Sequence, residues 1–348
     1  MRRALVAAVF LALATIQPAR AATVTLLALP EHATIEPFGT RALMAVARDG
    51  RVAATVTVGG FRTQAIVWKP PAPRPRVAAA RATIVGFDDA GALLLDAGRP
   101  RRLVGTRAVP IDTSYCEDFP QRSVGAVLAG ILSNGAAVAT MRSPAMVDLD
   151  DTSGRNAPVV LYLRSRRCLD MGNGIATATA GMFTAGYAAY IDNVPAPSNV
   201  VSNQERFTAM RWHERTPVDL GAGVALAVDP TGAAAGTDVP PGLGASYGGV
   251  THARYWPPTG SAVEIAPNAP VSAAYAVDRR NRVAGMLEDP NGRHYAFLWS
   301  NGTLRRLDDL VATPGWRFEC AYAFTPAGGV AGIGTYRGKA AAFVVYGL

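Results

Sequence analysis

Ala274-Tyr275-Ala276-Val277, a turn from Asp278 to Asn281, then Arg282-Val283-Ala284-Gly285 is the stretch that decides the fold. After a second turn the chain continues Ala296-Phe297-Leu298-Trp299, Asn301-Gly302 and a run from Leu304 to Leu310. This weak unit recurs seven times at a period near 46 residues. Repeats of that length belong to solenoids, propellers and arrays.

Each unit can be anchored on the apolar residue four positions before its first turn's Gly or Asn. The anchors are Val46, Phe87, Ile131, Met182, Val228, Val277 and Phe324, and the turn residues are Gly50, Gly91, Gly135, Gly186, Gly232, Asn281 and Gly328. Gly and Asn tolerate the positive φ of tight hairpin turns, so the recurrence has a physical cause. Four short runs rich in Val, Ala, Leu and aromatics follow one another in each unit, at strand length. The third run carries a Trp in Ala65-Ile66-Val67-Trp68, Ala209-Met210-Arg211-Trp212, Ala253-Arg254-Tyr255-Trp256 and Ala296-Phe297-Leu298-Trp299. Val345 stands in that place in the last unit, and Val104 and Tyr162 align with it in the second and third. Large aromatics at equal steps suit packing between adjacent four-stranded sheets.

The last unit stops after a third strand at Leu348, while Thr23 to Leu29 precedes the first unit and has no partner of its own. A ring whose N-terminal strand completes the last blade uses both fragments and removes unpaired edges. The expectation is all-β: a seven-bladed β-propeller of four-stranded blades over 22–348. A β-solenoid is disfavoured because its coils are shorter than this period.

The Ala-x-Ala-Val…Gly-x-Val-Ala-Gly pattern, followed by His294-Tyr295-Ala296-Phe297-Leu298-Trp299 and Asn301-Gly302, resembles the HAF repeat; Thr251-His252-Ala253 is a partial match. The fifth and sixth units are the close ones; others carry Gln64, Thr208 or Ala341 before the signature Ala. The resemblance is to extracellular repeat proteins of bacteria. It implies export and a propeller-like repeat, and carries over no catalytic residue and no cofactor.

Residues 1–21 read as a signal peptide: Arg2 and Arg3, an uncharged run from Ala4 to Ile16, and Ala19-Arg20-Ala21 as the cleavage motif. That run is short for a bilayer span. A periplasmic or extracellular monomer of bacterial origin, without a membrane span, is expected. The composition, rich in Ala, Arg, Gly and Pro with two Lys (Lys69 and Lys339), fits a high-GC source. Without Arg2, Arg3 and Arg20 the chain has 31 basic and 26 acidic residues, an excess too dispersed for nucleic-acid binding. Cys116, Cys168 and Cys320 allow one internal disulfide, and the repeat alignment favours Cys116–Cys168.

Long connectors fall at 107–122, 141–158, 191–206 and 237–251, where a propeller places strand 2–3 and strand 4–1 loops on one face. Rigid scaffolds commonly carry function on such loops. These hold nine acids and five arginines. Glu117, Asp118, Asp148, Asp150, Asp192 and Asp238 are therefore the candidate binding-face residues. Asp148, Asp150 and Asp151 are a weak calcium candidate: Gly154 falls one place late, and no bidentate Glu follows at the usual distance. Gly244-Ala245-Ser246-Tyr247-Gly248 matches a nucleophile elbow formally but lies in a turn-rich linker with no helix after it. His252 and His294 read as structural repeat positions. Arg101-Arg102, Arg166-Arg167 and Arg305-Arg306 read as charges guarding outer strands. Asp112, Asp170, Asp219, Glu264 and Asp308 read as turn caps.

The functional expectation is a binding or interaction scaffold recognising an envelope or extracellular protein or a glycan through the long loops of blades 3–5. The alternative is a hydrolase or lyase acting on envelope polysaccharide or peptide through loop acids at the channel mouth.

Overall fold

The structure, a computed structural model, describes residues 22–35, 43–116, 125–142, 157–172, 174–195, 201–239 and 251–348. Seven antiparallel sheets form a ring, a seven-bladed β-propeller. Blade 6 shows the plan: Val271–Val277 lies innermost, followed by Val283–Glu288, His294–Ser300 and Thr303–Arg306 at the rim. Blade 7 takes Trp316–Phe324, Val330–Tyr336 and Lys339–Tyr346 from the C-terminus and its outermost strand, Thr23–Ala28, from the N-terminus. Blade 1 has an extra short strand, Ala33–Thr34, on the distal end of Val52–Val58. Among the described residues no helix is long and apolar enough to cross a membrane.

The first turns match the sequence at six of seven blades. Gly50, Gly91, Gly135, Gly232, Asn281 and Gly328 all have positive φ. In blade 4 the turn is instead Gly181-Met182, and Gly186 lies inside the strand Phe183–Pro195. Gly186 answers a different demand. It pairs with Ala176 beside a β-bulge, and a Cβ there would meet the carbonyl oxygen of Ile175 at 2.0 Å. Gly236, Gly285 and Gly332 face the same bulge in their own blades, with equally close carbonyls. The bulge lets the first strand turn its side chains into the ring's centre.

The Trp residues pack each blade on the one before it. Trp68 is buried with Leu27 and Val344 of blade 7, Trp212 with Val138 and Val160 of blade 3, and Trp256 with Ala185 and Ala209 of blade 4. Register corrects the alignment in two blades: the Trp place is Leu103, which pairs with Leu93, and Leu161, which pairs with Ala137. Their neighbours Val104 and Tyr162 point to the other side of the pleat, and Val104 is 50% exposed. A slip of one residue reverses the face.

Polar links reinforce these joints. Thr55 and Thr140 accept the backbone N–H of Ile84 and Ala176 in the next blade. Arg51 and Arg282 reach across to the turn carbonyls of Gly91 and Gly328. Cys116 and Cys168 form a disulfide that ties the connector between blades 2 and 3 to the outermost strand of blade 3.

Candidate functional site

Where the first strands converge, a central cavity of about 1140 Å³ opens among the first turns. Every blade contributes to its wall, from Val46 and Phe87 round to Val277 and Phe324. Its depth is closed by apolar packing: Met44, Leu226, Tyr275 and Tyr322, from four blades, belong to one buried cluster. The Tyr275 and Tyr322 rings meet at 5.1 Å. A second cavity of about 590 Å³ adjoins it between blades 2 and 3, sharing Asp88, Asp89, Ile131 and Ser133.

Seven charged residues among those described line the central cavity. Most are neutralised within the protein. Arg48 donates to Asp89 across the blade 1–2 joint at 2.7 Å. Asp88 is paired with Arg102, and Asp278 with Arg282, whose Nη2 lies 2.7 Å from Oδ2. Asp229 is 2% exposed; its Oδ1 accepts from the Thr231 N–H, the Thr231 hydroxyl and the Ala233 N–H. These bonds close its own turn, and its buried Oδ2 has no hydrogen-bond partner. Arg279 and Arg280 are exposed at the mouth, and neither takes part in an ion pair among the described residues.

Nothing in the sequence marks this cavity; the sequence points to the long connectors instead. Glu117, Asp118, Asp148, Asp150 and Asp151 lie outside the described residues, as do Gly244 to Gly248. Asp192 belongs to a strand rather than a loop. Phe183–Pro195 and Val201–His213 continue pairing to Pro195 and Val201, so blade 4 extends a long hairpin arm in which Asp192 faces Gln204. The connector that begins at Arg107 likewise starts with the outer strand Arg107–Pro110.

Asp238 does converge with other polar groups. Its Oδ1 accepts the backbone N–H of His252, and its Oδ2 lies 3.3 Å from His252 Nδ1. Glu264 Oε1 approaches the same nitrogen at 3.4 Å. Both carboxylates address one ring nitrogen. Among the described residues no group of three or more His, Cys, Asp or Glu is arranged to hold a metal. In blade 6, His294 Nε2 lies 3.2 Å from Glu288 Oε2.

Asp112, Asp170 and Asp219 cap turns by accepting N–H bonds from Ser114, Gly172 and Gly221, and Asp308 accepts from Phe318. Glu264 departs from that set, since it faces His252. Arg102 is not a guard of an outer strand. It sits in the third strand, Pro100–Val104, and pairs with Asp88.

No family model and no curated protein matches the chain. Solved structures do. The β-propeller domain of the Trilobed protease from Pyrococcus furiosus, which has an open velcro topology, aligns with 87% of this chain and 93% of its own, at a TM-score of 0.54 and 8% identity. YCF48 from Cyanidioschyzon merolae aligns with 93% of this chain and 98% of its own, at a TM-score of 0.50 and 11% identity. The Pyrococcus horikoshii acylaminoacyl peptidase matches 86% of this chain at a TM-score of 0.48 and 10% identity, and 51% of its own chain is covered, so this chain spans about half of it. At such identities the likeness is one of fold.

Proposed function

We propose that the protein is an exported binding propeller that recognises a small organic ligand in its central cavity. The carrying observation is the cavity itself: a concave site framed by all seven blades, apolar in its depth and polar at its mouth. Ligand pockets have this size and this distribution of polarity. Its charged lining favours binding over catalysis, because Asp88, Asp89 and Asp278 are each committed to an arginine. Export is supported by the pattern of residues 1–21 and by the resemblance to HAF-repeat proteins. The acidic connectors, with Asp238, remain a proposed second surface for a protein or glycan.

The test is thermal unfolding with a panel of small organic ligands, comparing the unaltered protein with Ser133→Trp. Ser133 is exposed at the cavity wall, so an indole there narrows the site without entering the core. A ligand at a hundredfold excess over Kd adds about 2.7 kcal/mol of stability. The reading requires a stabilising ligand whose effect Ser133→Trp diminishes.

A second reading, hydrolase or lyase, is favoured by one observation: His252 is held between Asp238 and Glu264 beside a long connector. An activity on polysaccharide or peptide that Asp238→Asn and His252→Ala both abolish would support it.

A further inference from the structure

Resting on the cavity reading above, we infer that the ligand is an amphipathic organic anion, with its apolar body in the ring's centre and its anionic group on Arg279 and Arg280. The two arginines follow Asp278 in the first turn of blade 6, and both line the cavity. The turn fixes where they start. Asp278 Oδ1 accepts the backbone N–H groups of Arg280 and Arg282, and its Oδ2 is taken by the Arg282 guanidinium. Asp278 therefore neutralises Arg282 and leaves its two neighbours uncompensated.

The guanidinium of Arg280 lies over the next blade, with Nη1 3.5 Å from where a Cβ of Gly328 would stand. The missing side chain at Gly328 leaves that space to the arginine. Cationic groups are thus present on the blade 6 side of the mouth, above Val277 and Phe324.

Most of the acids in the lining are committed to other arginines. Asp88 and Asp89 are held by Arg102 and Arg48. Asp229 directs its Oδ1 into its own turn, where Thr231 and Ala233 donate to it, and the net charge of the lining with its arginine partners stays positive. A planar guanidinium recognises carboxylate, sulfonate or phosphate through paired N–H donors. Beneath it, the aromatic and aliphatic wall rewards an apolar body. A wholly polar anion would leave that wall unused, and a cation would meet Arg279 and Arg280 first.

Two fluorescent probes separate the parts of the inference: 1-anilinonaphthalene-8-sulfonate, an amphipathic anion, and the uncharged N-phenyl-1-naphthylamine. Each is titrated into the folded protein, into Arg279→Gln/Arg280→Gln and into Ser133→Trp. We expect one saturable site for the anion, weakened at least tenfold in the double variant and measurably weakened by Ser133→Trp. The uncharged probe should bind the double variant within twofold of the unaltered protein, which also reports that the variant's cavity is intact. Equal anion affinity in the double variant overturns the anion assignment while leaving the cavity reading in place. Failure of both probes to bind, or binding that Ser133→Trp leaves unchanged, overturns the cavity reading itself.

Discussion

The indole N–H of Trp68 donates to the carbonyl oxygen of Ala28 at 3.0 Å, joining the third strand of blade 1 to the last residue of the strand that closes blade 7. The bond fastens blade 1 to the strand whose pairing with Lys339–Tyr346 closes the ring. Trp68→Phe keeps much of the buried aromatic volume and loses this bond, at a cost of about 1 kcal/mol. Trp68→Ala also opens a cavity in the joint and should cost about 4 kcal/mol. Denaturant midpoints measure both. Removing Thr23–Ala28 strips the partner from Lys339–Tyr346. The exposed edge should then drive self-association, visible by size-exclusion chromatography.

Arginine pairs in this ring differ in worth according to burial. Arg282 is 7% exposed, pairs with Asp278 and donates to the Gly328 carbonyl. Arg282→Ala leaves both acceptors without their donor and should cost about 3 kcal/mol. Arg48 and Asp89 are 71% and 52% exposed, so Arg48→Ala should cost well under 1 kcal/mol. Equal effects of the two substitutions on urea unfolding would contradict this account of the joints.

The strand glycines are steric requirements. A Cβ at Gly285 would lie 2.0 Å from the Ala273 carbonyl oxygen, whereas one at Gly302 meets nothing within 4 Å. Gly302→Ala should cost about 1 kcal/mol through its positive φ alone. Gly285→Ala must shift backbone and should cost several times as much, read from the same unfolding curves.

Cys320 is fully buried, and burial pushes its thiol well above the ordinary cysteine range. It should resist thiol reagents in the native protein and react, one thiol per chain, once the unreduced protein is denatured. Reduction of Cys116–Cys168 opens a link spanning 52 residues and should remove about 4 kcal/mol of stability.

Asp308 provides a pH test with a definite sign. Burial raises its pKa first of all; the Phe318 N–H opposes the shift and neighbouring Asp309 adds to it. A raised folded value means the fold favours the neutral acid. Its contribution is complete below the unfolded carboxylate value and is lost as pH rises through the folded one. Asp308→Asn should therefore be the more stable form at neutral pH, with the advantage shrinking as pH falls through the raised folded value and gone by about pH 4. Parallel melting curves across that range would contradict it.

The ring was legible in the sequence because turn chemistry and core aromatics repeat where the backbone forces them to. Gly50 to Gly328 occupy positive-φ turns, and Trp68, Trp212, Trp256 and Trp299 fill one structural place. Legibility failed where two demands use the same residue type. Gly186 answers a bulge rather than a turn, and its spacing imitates one. Leu103 and Leu161 fill the Trp place without an aromatic to mark it, so the alignment slipped to their neighbours. The cavity was illegible for a different reason: Val46, Phe87, Val277 and Phe324 are ordinary strand residues until the ring sets them round one axis. Arg48 and Asp89 are 41 residues apart, and only blade adjacency makes them a pair.

Hydrogen exchange of the ligand-bound protein tests the central claim most directly. With 1-anilinonaphthalene-8-sulfonate bound, the account predicts slowed exchange in the first turns at 47–50, 278–281 and 325–328. Protection confined to 143–156 and 240–250, with those turns unchanged, would contradict it and move recognition to the long connectors.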